Sequence, residues 1–422
     1  MPHSLEAADL AIQGRPKLEE PTEEAAPAAL DWLPRALGQL DKAGLRRRLV
    51  TRDGPQAAAC EFEGRRLVNF SSNDYLGLAC DVRLAEAAQR AIQDTGWGSG
   101  ASPLVTGRSR WHAWLEERLA RFEGAEAALL FPTGFAANAG VVPALVDQGD
   151  AVFADAKNHA SLIDGCRLSR ADRFVYPHND SDALAELLAT KTDYRRRLIV
   201  TDSLFSMDGD VAPLDRIAEL ATRHGAMLMI DEAHATGVWG RRGRGVLEHF
   251  ADQAPTNAAK LEGAVSVRVG TLSKALGSVG GFVCGSQALI DWLANRARTY
   301  VYSTAMPAAA AAAGVAGLEI IEAEPSRRSA LLQRAARLRD QLRAAGFDTG
   351  ASCSQVVPIV VGDAERAMRI ASALKAAGML VPGIRPPSVP EGESLLRVSL
   401  CHDHTEQDCD RLVRTVVRIG RE

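Results

Sequence analysis

The chain has 422 residues, 46% of them hydrophobic and 24% charged, with a formal net charge of -4. This is ordinary globular material, long enough for two or three domains, and it offers no general electrostatic reason to bind nucleic acid or an anionic membrane. Seven scattered cysteines without a C-x-x-C pair argue against a disulfide framework or zinc site, and no stretch reads as a leader or a membrane span, so a cytoplasmic enzyme acting on small molecules is expected.

Residues 1–30, with KLEEPTEEAAPAA, mix charge, proline and alanine without an apolar face and read as a disordered extension. An N-terminal segment follows over 31–95, in which Arg46-Arg47-Arg48 reads as a solvated helix face. A large α/β domain is expected over 96–305. ALLFPTGFAANAG is a strand, a turn and a helix starting near Gly134-Phe135. From Ala151 the β-rich runs AVFAD, RFVYP, RRLIVTD, AMLMIDEAH, AVSVRVG and GGFVCG alternate with helix-like stretches such as 181–190 and 213–224. That alternation predicts a mostly parallel sheet with helices on both faces. A smaller C-terminal α/β domain over 306–422 opens on the Ala-rich run MPAAAAAAGVAGLEIIEAE and ends in a helix near 405–419. His402-Asp403-His404 reads as the turn before that helix rather than a metal pair, and no metal site is expected.

Ligands of parallel sheets sit beyond the carboxyl ends of the strands. Three strands deliver chemistry there: LIVT ends at Asp202, MLMI at Asp231 with His234 three residues on, and VSVRVG runs into Thr271 and Lys274. The TG before the helix at 134 offers backbone N–H groups to a phosphate. A phosphate cradle, an acid after a buried strand and a lysine able to form an imine are what pyridoxal phosphate requires. Lys274 stands in the Gly/Ser/Thr-rich VGTLSKALGSVGG, and Lys157, close to His159, is its rival. Asp231 and His234 also spell DEAH, but a nucleotide motor needs a phosphate loop, and the chain contains no Gly-Lys dipeptide.

The sequence resembles the α-oxoamine synthases, fold-type I pyridoxal-phosphate transferases that condense an amino acid with an acyl thioester. The likeness runs from about Leu45 to the C-terminus, through NFSSNDYLGL, FPTGFAAN, NHASLIDG, SMDGD, DEAHATGVWGRRGRG, TLSKALG, YSTAMP and GIRPPSVP. It implies that Lys274 carries the cofactor, that Asp231 pairs with its ring nitrogen, and that His234 bonds the ring hydroxyl with Ser206 nearby. Gly134, Phe135 and Thr271 would hold the cofactor and its phosphate, and His159 would stack on the ring. Asn73 and Arg397 match positions that hold the amino-acid carboxylate, while Arg46, His159 and Ser388 match substrate-contacting positions; in GIRPPSVP, Pro386 and Pro387 restrict the backbone beside Arg385, so its cation and the Ser388 hydroxyl are presented to a carboxylate-bearing substrate at little ordering cost. Ser303 and Thr304 match a segment that reaches the neighbouring subunit's site, implying a homodimer. SMDGD and GIRPPSVP are most similar to the branch that joins L-alanine to a pimeloyl thioester in biotin biosynthesis, the carrier being coenzyme A or acyl-carrier protein. Glycine-using relatives are the alternative. An inactive binding subunit is a further one, which the presence of Lys274, Asp231 and His234 disfavours. Two departures stand out, Asp202 where some relatives have glutamate and Pro103 in GSGASPLVTG, and neither is expected to touch the cofactor chemistry.

Overall fold

The computed structural model describes residues 28–420, which fall into two units, one ending at Leu49 and one starting at Val50. The extension expected over 1–30 lies outside the described residues except at its end, where Ala28–Leu30 form a 3-10 turn. The first unit carries the helix Trp32–Lys42, none of whose residues is buried. Arg46-Arg47-Arg48, read from sequence as a helix face, lies in irregular chain beyond it.

In the second unit β1 (Arg52–Asp53), β2 (Ala59–Phe62) and β3 (Arg65–Asn69) form an antiparallel ribbon. The main sheet comprises β4 (Ala127–Phe131), β5 (Ala151–Asp155), β6 (Asp172–Tyr176), β7 (Arg197–Asp202), β8 (Met227–Asp231), β9 (Val267–Thr271) and β10 (Gly281–Gly285). Its order is β4-β10-β9-β8-β7-β5-β6. All neighbours are parallel except β10, which runs antiparallel to both β4 and β9. The strands read as continuous apolar runs because both faces are covered. Side chains alternate across a pleated strand, so Phe153, Ile199, Leu228 and Ile230 enter one core while Val152, Leu198, Val200 and Met229 enter the other. Truncating one of these, Ile199 for instance, to Ala removes about 2–5 kcal/mol.

The helix Leu214–His224 shows how a covering element is specified. Leu214, Ile217, Ala218 and Ala221 recur at helical spacing and are buried. The helix ends where Gly225 takes the left-handed conformation, at φ 61°.

Beyond the main sheet, β11 (Val356–Gly362), β12 (Met379–Leu380), β13 (Gly383–Ile384) and β14 (Ser394–Ser399) complete the chain's strands among the described residues. β11, β14 and β13 form an antiparallel sheet, whereas β12 joins the N-terminal ribbon by pairing parallel to β3. The N-terminal segment and the C-terminal part therefore share backbone hydrogen bonds, a pairing the sequence pattern did not announce. The Ala-rich run forms the helix Ala308–Ala323, packed on the helices Val82–Thr95 and Arg110–Glu123. Its Gly317 lies so near the loop after β9 that a Cβ would meet the Leu276 carbonyl at 2.5 Å. Among the described residues no helix is long and apolar enough to cross a membrane.

Candidate active site

The adjacent parallel strands β7, β8 and β9 end side by side. Asp202 and Asp231 are direct cross-strand partners, and both are buried. β9 ends at Thr271, whose hydroxyl bonds Ser273 Oγ at 2.7 Å and the Gly280 carbonyl at 2.8 Å. These bonds tie the two ends of the loop bearing Lys274 together. Its turn closes with Gly277 N–H donating to the Lys274 carbonyl at 3.0 Å. Gly277 has φ 69°, and a Cβ there would strike Leu78, so both conformation and space call for glycine.

The Lys274 amine is enclosed near Asp231, Asp202 and Arg397. Burial pulls its pKa down to about 8; the two carboxylates pull it up and the guanidinium adds to the lowering. Burial likewise holds the His234 imidazole well below its usual range, aided by Lys274 and Arg397. Burial and the facing Asp231 push the Asp202 carboxyl well above the carboxylate range. Asp202 also accepts the His159 backbone N–H at 2.6 Å. Asp202, the shorter acid at the end of β7, thus sits opposite Asp231 and within the field of Lys274. The other departure, Pro103, begins a short turn over Pro103–Gly107.

Arg397 on β14 reaches the same place. Its Nη1 and Nη2 donate to Asn73 Oδ1 at 3.1 and 3.2 Å, and its Nε donates to the Ser206 carbonyl. The structure therefore brings Lys274, Asp231, His234, His159, Thr271, Asn73, Ser206 and Arg397 together. Gly134 joins them from the N-terminus of the helix Gly134–Leu145, where a Cβ would lie 3.4 Å from the Thr271 side chain. Phe135 follows it in the first turn and is exposed.

Ser303 and Thr304 border a small cavity with Arg108, His112, Glu116 and Met306. Arg385 turns Nη1 towards Met368 Sδ at 2.8 Å, and Ser388 donates its N–H to the Arg385 carbonyl at 3.1 Å in an exposed turn. Arg46 belongs to the first unit, where it pairs with Asp41 at 2.5 Å. The rival Lys157 is bound to Asp208 at 2.7 Å.

Two residues near the site were missed as individuals although the motifs containing them were noted. Tyr75, fully buried, places its hydroxyl 2.6 Å from His234 Nδ1. Asn138 donates Nδ2–H to Asp231 Oδ2 at 2.6 Å and to Ser161 Oγ at 2.9 Å. Neither contact has a spacing signature, because each joins elements far apart in the chain.

This donor set fits pyridoxal phosphate on its own terms: a desolvated amine, a buried carboxylate held by Asn138 and the Ala233 N–H, and a helix N-terminus open to an anion. The cradle is also shaped for it. A Cβ on Gly281 would meet the Thr133–Gly134 peptide at 2.5 Å, so glycine in β10 is what allows that helix to begin there.

The family model for aminotransferase class I and II matches residues 65–416. Over 389 residues the chain is 49% identical to an 8-amino-7-oxononanoate synthase of Geobacter sulfurreducens, covering 92% of this chain and 97% of that one. A serine palmitoyltransferase from S. paucimobilis, solved with PLP and myriocin, superposes with a TM-score of 0.86 at 29% identity, covering 93% of this chain and 98% of that one. An 8-amino-7-oxononanoate synthase from Francisella tularensis gives 0.71 at 27%, covering 84% and 98%. With a fold-type I architecture and a half-buried lysine in the field of the acid of β8, the chain belongs to the aminotransferase class I and II family, among the 8-amino-7-oxononanoate synthases.

Proposed function

We propose that the chain condenses L-alanine with a pimeloyl thioester to form 8-amino-7-oxononanoate, carbon dioxide and a free thiol carrier, using pyridoxal 5'-phosphate, in cytoplasmic biotin biosynthesis. The observation that carries this reading is the Lys274 amine, lowered to about 8 beside Asp231 at the carboxyl edge of the sheet. When bound, the cofactor supplies an electron sink for negative charge at the amino acid's α-carbon.

Lys274 Nζ is the attachment point and the base for the α-proton, its lowered pKa leaving a useful fraction unprotonated near neutrality. Asp231 holds the proton on the ring nitrogen. His234, with Ser206 nearby, faces the ring hydroxyl, and His159 covers a ring face. Gly134, Phe135 and Thr271 hold the phosphate. Arg397 and Asn73 orient the alanine carboxylate, as a guanidinium fork suits a planar acid. Arg46, Arg385 and Ser388 belong to the acyl side. Ser303 and Thr304 serve the site of a second copy in a homodimer, and residues 96–305 and 306–422 act as the cofactor and smaller domains.

A panel of amino acids and acyl thioesters, following free thiol and carbon dioxide, tests the reading. Alanine with pimeloyl-coenzyme A or pimeloyl-acyl-carrier protein is expected to win. Faster turnover of glycine with acetyl- or succinyl-coenzyme A moves the chain to a glycine-using relative's reaction.

A further inference from the structure

His159 stands at the N-cap of the helix Ala160–Leu168, and its ring nitrogen Nδ1 accepts the Ser161 backbone N–H at 3.2 Å. The Ser161 hydroxyl lies 2.7 Å from the same Nδ1. That hydroxyl is in turn the acceptor for Asn138 Nδ2–H, whose other bond goes to Asp231 Oδ2. The polarity of this chain of bonds can be read from its fixed ends. A backbone N–H can only donate, so Nδ1 is an acceptor. The amide of Asn138 faces a carboxylate, so its NH2 and not its carbonyl must lie there. The Ser161 hydroxyl, already receiving from Asn138, has its own proton free for Nδ1.

Asn138 and Ser161 are both 1% exposed, and Asn138 Oδ1 is buried without a hydrogen-bond partner among the described residues. Turning the amide over to satisfy that oxygen would set it against Asp231, which fixes the orientation. The two helices are held close enough because residue 165 is glycine: a Cβ there would meet the Asn138 carbonyl at 2.8 Å.

We infer that Asn138 and Ser161 are positioning residues that hold His159 as the neutral imidazole protonated at Nε2 while orienting the Asp231 carboxylate, so that His159 does not compete as a cation for the acid. The inference rests on the proposed reading of Asp231 and His159. The titratable groups around His159 among the described residues include Asp231 and His234 from β8 and the turn after it, Asp202 at the end of β7 and Lys274 after β9. Of these, Asp231 favours the imidazolium while Lys274 opposes it, and the N–H groups of the helix N-terminus disfavour a positive charge.

The test is nitrogen NMR of the histidine rings in the full chain, with and without pyridoxal phosphate, with His159→Gln to assign the signal. In both states His159 is expected neutral at pH 7, with Nδ1 bare and Nε2 protonated. Ser161→Ala removes one donor to the neutral form, so the His159 pKa rises by about 0.5–1 unit, and Ser161→Thr returns it. Asn138→Ala, which strips a donor from Asp231, weakens pyridoxal phosphate binding about tenfold or more. An imidazolium or an Nδ1–H tautomer in the wild type overturns the inference, and so does an unchanged His159 pKa in Ser161→Ala. If the wild type shows the expected tautomer but neither binds pyridoxal phosphate nor uses alanine, the functional reading fails while the hydrogen-bonded relay stands.

Discussion

Lys274 and Lys157 both stand in loops that leave buried strands of one sheet, β9 and β5, yet their surroundings oppose each other. Around Lys157 the cations meet acids directly in two cases: its own amine bonds Asp208 at 2.7 Å with Glu393 at 3.6 Å. Beside it His178 lies 3.0 Å from both Asp155 and Asp210. Burial pulls both cations down, but these bonds outweigh it, raising Lys157 and lifting His178 to about 9. Lys274 has Asp231 and Asp202 in its field, and there burial wins, leaving the amine at about 8. A lysine becomes a nucleophile and base when it is desolvated near acids that are committed to other partners. Asp231 is committed to Asn138 and the Ala233 N–H, and Asp202 to the His159 N–H.

The sharpest way to break this contrast is to exchange the lysines' fates. Lys274→Ala is expected to lower turnover by at least about 10³-fold and to abolish covalent trapping of pyridoxal phosphate by borohydride, while Lys157→Ala keeps both. A reduced cofactor mapped to Lys157 would reverse the assignment.

The next largest effect concerns the acid. Breaking a buried charge pair costs about 3–5 kcal/mol, so Asp231→Asn is expected to slow α-proton exchange of alanine by about 10²–10⁴-fold. Near-normal exchange would remove Asp231 from its role.

Arg397 offers a third, smaller effect. Its fork engages Asn73 and the Ser206 carbonyl together, and an ammonium cannot reproduce that geometry. Arg397→Lys is expected to raise the KM for alanine about tenfold with kcat changed much less; an effect on kcat alone would place Arg397 away from the substrate carboxylate.

Finally, the two regions push stability in opposite directions with pH. His178 is raised from 6.5 to about 9, so its contribution is full below pH 6.5 and is lost as pH rises through 9. His178→Gln should therefore cost about 1–3 kcal/mol at pH 6 and far less at pH 10. Lys274 is lowered from 10.5 to about 8, so its charged form is penalised below pH 8 and the penalty fades towards 10.5. Without cofactor, Lys274→Met should melt higher than the wild type at pH 7, with the gain vanishing near pH 10.5. Thermal melts across pH read both, and parallel slopes would show that the two environments do not differ as described.

The sequence by itself determined the main sheet and most of what lines its edge. Short apolar runs such as MLMI and LIVT, alternating with amphipathic stretches, read as strands covered on both faces, and where such runs end, at Asp202, Asp231 and Thr271, the polar residues gather at one edge. The lysine loop was legible for the same reason, since small residues and one cation beside a buried strand leave few other uses. Tertiary structure alone decided the pairings across long separations. β12 joined β3, Tyr75 met His234, and Asn138 met both Asp231 and Ser161. It also set the difference between the two lysines, because Lys157 owes its pairing to Asp208 and Glu393, 51 and 236 residues further along the chain. Local pattern reports which face a residue turns to the core; the partner a buried polar group finds depends on how the finished layers stack, and no spacing within one element records that.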